Sequence, residues 1–262
     1  MKIGFIGSGN MGSAIIGGIV NSGIAKPQDI VVSDINAAGL QKTKEQFGVN
    51  ITSNNKEAAE CDIVFLCVKP NVILNVIDEI KDTVEDNVVA SIAAGKSISA
   101  LLDAFKKEIK LIRIMPNTPA LVGEGMSAMT ANAKVTDDEK EKVLEIFNSF
   151  GLCEEVPESL MDTVTAVSGS SPAYVFMFIE AMADAAVQGG MPRDKAYTFA
   201  AQSVLGSAKM VLETNKHPGV LKDMVCSPGG TTIEAVSVLE EKGMRDAVIS
   251  AMKACMDKSS NM

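Results

Sequence analysis

The chain has 262 residues, 47% of them hydrophobic, so it is long enough for one large domain or two ordinary ones and apolar enough to bury a core. Its formal net charge is -9 and no Lys/Arg run interrupts that excess, which argues against nucleic-acid phosphates as partners. The five cysteines are odd in number, form no CxxC pair and accompany no secretory pattern, so reduced thiols and a cytoplasmic location are expected. One histidine and no ligand spacing leave no metal site to predict.

The chain opens with "KIGFIGSGNMGSAIIGGIV". A strand over 2–6 runs into a glycine turn, and an apolar helical pattern follows. Ile6, Gly7, Ser8, Gly9, Asn10, Met11 and Gly12 are therefore candidate cofactor residues. In such a fingerprint Gly7 permits the tight turn, Gly9 lets the backbone approach a pyrophosphate, and Gly12 lets the helix pack on the strand. The helix N-terminus then faces the phosphate charge.

A second strand, 30–33, is followed by Asp34, which stands 22 residues beyond Gly12. An acidic side chain there accepts the ribose hydroxyls of NADH and repels the 2′-phosphate of NADPH. Lys42 and Lys44 are the cations that could still reach a phosphate. The plainer reading of Asp34 is a turn residue at a strand end.

Further strands are predicted at 62–68, 88–92, 111–114 and 126–129, with helices between most of them. This alternation argues for a parallel α/β sheet, whose ligands bind at the carboxyl ends of the strands. Asn55 lies on the connection ahead of "VFLCVKPN", whose Val68, Lys69 and Pro70 should border the cofactor. In "SIAAGKS", Ala94 and its small neighbours leave room for a flat ring. In "IRIMPNTPA", two prolines hold Asn117 and Thr118 in a stiff loop. Each loop alone is equally well explained by turn chemistry, and their shared edge is what points to a nicotinamide site.

Near residue 160 the texture changes to long Ala- and Met-rich helices. A boundary around Pro157–Met161 follows, giving residues 1–158 as a dinucleotide-binding domain and 159–262 as an all-α domain. Along 173–188 the strongly polar positions are Glu180, Asp184 and Gln188, one stripe with a spacing of four. The two acids rule out a membrane span there. A helix apolar on its other sides must be surrounded, which predicts packing by a second copy of the chain. His217, in "KHPG", reads as a turn or cap residue. "VCSPGGTTIEA", residues 225–235, places small and hydroxyl residues over a helix start whose amides lack partners. The alternative there is a Thr231–Thr232 cap with no ligand.

Taken in order, "GSGNMG", "CVKP", "SIAAGKS", "IRIMPNTPALVGEG", "AVSGSSPAYVF", "HPGVLKDMVCSPGGTTIEA" and the final Arg245-Asp246-Ala247-Val248 resemble the pyrroline-5-carboxylate reductase family over essentially the whole chain. The resemblance implies a Rossmann-type domain followed by an all-α dimerisation domain, with helices of two subunits interlocked. Some members form pentamers of dimers, and each active site takes its cofactor from one subunit and its substrate loop from the other. It implies reduction of 1-pyrroline-5-carboxylate to L-proline, the last step of proline biosynthesis, by NADPH or NADH. It also implies that Gly230 and Thr231 bind the substrate carboxylate through backbone amides, that Ser227 adds a hydroxyl, and that Thr232 faces the ring nitrogen as the catalytic residue. Glu158 matches a position near the bound proline. The chain departs from the family at Ser171, where glycine is frequent, and at Met224, where asparagine is frequent. Most members accept NADPH readily, against the direction in which Asp34 points. Alternatives are a reductase of another small cyclic imine, a β-hydroxyacid dehydrogenase cousin using Lys195 or Lys209, and a non-catalytic dinucleotide-sensing dimer.

Overall fold

The computed structural model describes residues 1–261. Strand β1 (Ile3–Ile6) is buried along its length, as a central strand covered on both faces must be. It leads through the glycine turn into α1 (Asn10–Ser22). Then follow β2 (Ile30–Ser33), α2 (Ala37–Phe47), β3 (Asn50–Thr52), α3 (Asn55–Ala59), β4 (Ile63–Leu66), α4 (Ile73–Ile80), β5 (Val88–Ser91), α5 (Ile98–Phe105) and β6 (Lys110–Met115). The sheet is completed by β7 (Gly125–Ala131) and, after α6 (Asp137–Asn148), by β8 (Gly151–Glu155).

The strand order is β3-β2-β1-β4-β5-β6-β7-β8. It reverses between β1 and β4, which makes the end of β1 a topological switch point where ligands bind. The sheet is parallel as expected except at one pairing, where β7 runs antiparallel to β6. The reason is connection length. Residues 116–124 hold a single 3-10 turn, Thr118–Val122, and cannot carry a crossover helix. Strands β3 and β8, both at sheet edges, were not anticipated from the sequence.

Each face of the sheet carries its own apolar layer. On one, Ile15, Ile16 and Ile19 of α1 and Val143, Ile146 and Phe147 of α6 pack over Phe5 and Phe65, whose rings stack at 5.0 Å. On the other, Ile73, Ile77 and Ile80 of α4 and Leu101 and Phe105 of α5 cover Val64, Leu66, Val89 and Leu111. Full burial of each such side chain contributes about 1.5–3 kcal/mol. Helices α2, α3, α5 and α6 start at Asn36, Asn54, Ser97 and Thr136, and each of these side chains accepts a first-turn amide. Thr136 and Glu139 form a reciprocal capping box.

After β8 the described residues contain no strand. The short α7 (Met161–Val164) runs into a π-turn, Thr165–Gly169, and then come α8 (Ser171–Gln188), α9 (Arg193–Thr214), α10 (Pro218–Val225), α11 (Thr231–Glu241) and α12 (Met244–Ser260). Two compact units result: residues 1–170 with the chain end from Cys255, and residues 171–254. In the first, the last turn of α12 is fastened by Ser259, whose hydroxyl donates to Asp162 Oδ1 at 2.6 Å.

In the second unit the long helices bury little of themselves. Only the alanines 183, 196 and 200 are buried, whereas Phe176, Met177, Phe199 and Leu212 stand 60–68% exposed. Exposed apolar surface on this scale marks an interface. No helix among the described residues is long and apolar enough to cross a membrane.

Candidate dinucleotide and anion sites

The glycine turn sits at the switch point. Gly7 has φ +104°, and its amide donates to Ser33 O at 2.8 Å. A Cβ at Gly7 would lie 2.6 Å from Cys67 O, and one at Gly12 would lie 2.4 Å from Gly7 O. The turn is therefore compressed between the end of β4 and the first turn of α1, and only glycine fits. Gly9 is different. It is the extended N-cap of α1, no side chain caps the helix, and a Cβ there meets nothing within 4 Å. The first-turn amides around Asn10 and Met11 thus face open space at the positive end of the helix dipole, which fits a pyrophosphate.

Beside this turn Asp34 is already engaged. Its Oδ2 accepts from Ser8 N at 2.7 Å and from Ser8 Oγ at 2.8 Å. Its Oδ1 accepts from Asn36 N at 2.9 Å. Burial pushes the carboxyl pKa up, but the Asn36 and Ser8 amides, the Ser8 hydroxyl and the Ile35 amide outweigh it and hold the group below its usual value. Asp34 is thus anchored as a carboxylate. Asn55 stands at the start of α3, where its Oδ1 accepts from Ser33 Oγ and its Nδ2 donates to Glu79 Oε2 at 2.6 Å.

At the same edge, Val68 packs against the turn, with Cγ1 3.2 Å from where a Gly7 Cβ would be. Lys69 and Pro70 follow in a tight turn closed by Val72 N donating to Lys69 O at 3.0 Å. Ala94 precedes Gly95, which has φ +71°. Asn117 is buried and its side chain is occupied within the protein. Its Oδ1 accepts from Met126 N at 2.9 Å, and its Nδ2 donates to Ser168 O at 3.1 Å. A regular helix would satisfy that carbonyl with the amide of residue 172, but residue 172 is proline and has none.

Glu158 lies near the start of α5. Its Oε1 accepts from Ile98 N at 2.7 Å and from Arg113 Nη1 at 3.0 Å. No described residue engages its Oε2, and the side chain is 34% exposed. Sequence reading passed over Arg113, although a lone charge in the apolar run "LIRIM" needs a buried partner. It also passed over Glu79, which nothing in the sequence singles out.

The second unit contains its own bare helix start. Ser227 to Gly230 make a turn closed by Gly230 N donating to Ser227 O at 3.0 Å. Pro228 followed by Gly229 at φ +68° gives it type II character. Gly230 is then the extended N-cap of α11, and no side chain caps the helix. The first amides, at Thr231 and Thr232, remain available to an anion, with the Ser227 Oγ beside them, 2.3 Å from a Gly230 Cβ position. Neither threonine caps its own helix. His217 does cap one: its Nδ1 accepts from Gly219 N at 3.0 Å at the start of α10. Lys209 pairs with Glu213 one turn on at 3.4 Å.

A doubly wound sheet with an uncapped glycine helix start at its switch point defines the dinucleotide-binding half of a nicotinamide-dependent oxidoreductase. Residues 2–95 match a family described as NADP oxidoreductase coenzyme F420-dependent, and residues 158–262 match one described as pyrroline-5-carboxylate reductase dimerisation. The pyrroline-5-carboxylate reductase of Escherichia coli K12 is 56% identical over 100% of this chain and 98% of its own length. That of Arabidopsis thaliana is 41% identical over 98% of this chain and 94% of its own. Among solved structures, a pyrroline-5-carboxylate reductase from Coxiella burnetii superposes with a TM-score of 0.93 at 36% identity, covering 99% of this chain and 97% of that one. The Plasmodium falciparum pyrroline carboxylate reductase with NADP bound gives 0.91 at 36% identity, covering 100% and 97%. The chain belongs to the pyrroline-5-carboxylate reductase family.

Proposed function

We propose that this chain reduces 1-pyrroline-5-carboxylate to L-proline with NADPH or NADH. The observation that carries the reading is the uncapped, glycine-started helix at residues 227–232, in a chain similar from end to end to reductases of that name. The substrate offers one carboxylate and one C=N bond. In the reaction, one hydride reaches the imine carbon and the nitrogen ends protonated as a secondary amine.

A bound NADPH or NADH would supply the hydride from its reduced nicotinamide. The protein supplies placement. Residues 7–12 would hold the pyrophosphate on the α1 amides, with Ile6, Val68, Lys69, Pro70, Ala94 and Asn55 shaping the groove at the strand ends. Asn117 acts by bracing the 116–124 loop, since both ends of its amide are engaged. The amides of Thr231 and Thr232 and the Ser227 hydroxyl hold the substrate carboxylate; the Gly230 amide, expected to share in this, is spent on the turn, where it donates to Ser227 O. Charge-assisted bonds of this kind contribute about 1.5–3 kcal/mol each. With Oε1 of Glu158 clamped, its Oε2 is left to face the substrate. His217 is committed to capping α10, so the imine arrives already protonated and the Thr232 hydroxyl orients its N–H.

The exposed apolar faces of α8 and α9 support a homodimer through the second unit, and pentamers of dimers are the further assembly proposed. Five free cysteines suit a reducing compartment such as the cytoplasm. The test is the loss of NADPH and NADH absorbance with pyrroline-5-carboxylate, alongside hydroxyacids with NAD. Turnover of the imine alone is expected. Turnover of the hydroxyacid alone, or of neither, would reverse the assignment.

A further inference from the structure

The fate of the Asp34 carboxylate has a consequence for cofactor choice. An acidic side chain at this strand end reads a ribose by accepting from both hydroxyls, one on each carboxylate oxygen. Each oxygen has two acceptor sites. On Oδ2 both are filled, one by Ser8 N and one by Ser8 Oγ. On Oδ1 one is filled by Asn36 N. The Ile35 amide bonds the carboxylate as well, so at most one site remains for a diol that needs two. The Ser8 amide belongs to the turn, and every residue except proline would carry it. The hydroxyl is a choice of side chain.

We propose that Ser8 is a specificity-determining residue that disfavours NADH by occupying, with its hydroxyl, the acceptor site on Asp34 Oδ2 that the ribose diol needs. The inference rests on the reading of residues 7–12 and Asp34 as the dinucleotide site. Two further features fit it. Ser8 Oγ is the donor and Asp34 the acceptor, so the hydroxyl competes directly with a ribose hydroxyl, which would also donate. The pair is locked from behind as well: Ser8 O accepts from Ser13 Oγ at 3.0 Å, and Gly7 N from the neighbouring position donates to Ser33 O. Ser8 does not swing away at no cost.

The test is direct binding of NADH and NADPH by calorimetry to the full chain, as wild type, Ser8→Ala and Ser8→Thr. Freeing one charged acceptor should tighten NADH in Ser8→Ala by about tenfold while NADPH stays within about twofold. Ser8→Thr, which keeps a hydroxyl, should retain the wild-type ratio. An unchanged ratio in Ser8→Ala, or a threonine variant that behaves like alanine, overturns the proposal. A carbon-detected titration of the Asp34 carboxyl gives a readout independent of the cofactor: its midpoint should lie below the ordinary aspartate value in wild type and rise in Ser8→Ala. A wild-type midpoint at the ordinary value overturns the proposal without any variant. Failure of the wild type to bind either dinucleotide would instead remove the underlying reading of the site.

Discussion

Helices α1 and α11 begin alike and are held differently. Each starts at an extended glycine with no side-chain cap, Gly9 and Gly230, and each is preceded by a glycine at positive φ, Gly7 and Gly229. Around Gly7 the sheet leaves no room, because Cys67 O would be 2.6 Å from a Cβ. Around Gly229 nothing lies within 4 Å. The first helix start is a product of the core, and the second is a product of its own four-residue turn. An anion site can thus be made by packing or by local turn chemistry, and the two should fail in different ways.

The largest expected effect separates them. Gly7→Ala combines backbone strain with a backbone clash and should lower folding stability by about 3 kcal/mol or more. Gly229→Ala carries the strain alone and should cost about 1–2 kcal/mol. Chemical denaturation of both checks this, and equal losses would erase the distinction. Next comes Gly9→Asp, which fits the open space at the α1 N-cap. It should keep or raise the melting temperature by capping the helix, yet weaken dinucleotide binding by about a hundredfold through like-charge repulsion. Calorimetry together with a melting curve reads both.

On the α11 side, Thr232→Ala should lower kcat/KM for the imine by about tenfold and leave dinucleotide Kd unchanged. Unaltered steady-state kinetics would strip Thr232 of its role. The smallest effect is expected at His217→Ala, which removes a cap from α10 and should cost about 0.5–1 kcal/mol with little change in kcat. A large fall in kcat would return the histidine to the chemistry.

Much of this was readable in the sequence, for local reasons. The glycine fingerprint, the strand that feeds it and the helix that leaves it are neighbours in the chain, and β1, β2, β4, β5, β6 and β7 are apolar enough to announce themselves. Strand β3 is three residues long and not buried, and β8, "GLCEE", ends on two glutamates, so neither carries a strand signal. The reversal at β7 was legible in principle, since nine residues cannot hold a crossover. Partnerships between distant side chains were not. Asp34 could be placed beside a ribose from spacing, but its capture by Ser8, 26 positions away, depends on side-chain direction. Arg113 and Glu158, 45 positions apart, meet only because β6 and the segment after β8 end near each other.

The carbonyl of Ser168 ties two distant letters of the sequence into one heritable unit. Proline at 172 deprives it of an amide, and asparagine at 117 returns one. In a Pro172→Ala background the backbone could make that bond itself, and the Asn117 amide would lose half its employment. Lineages that drift at one of these positions should therefore be freed to drift at the other, and a double-mutant cycle would register the dependence before any alignment did.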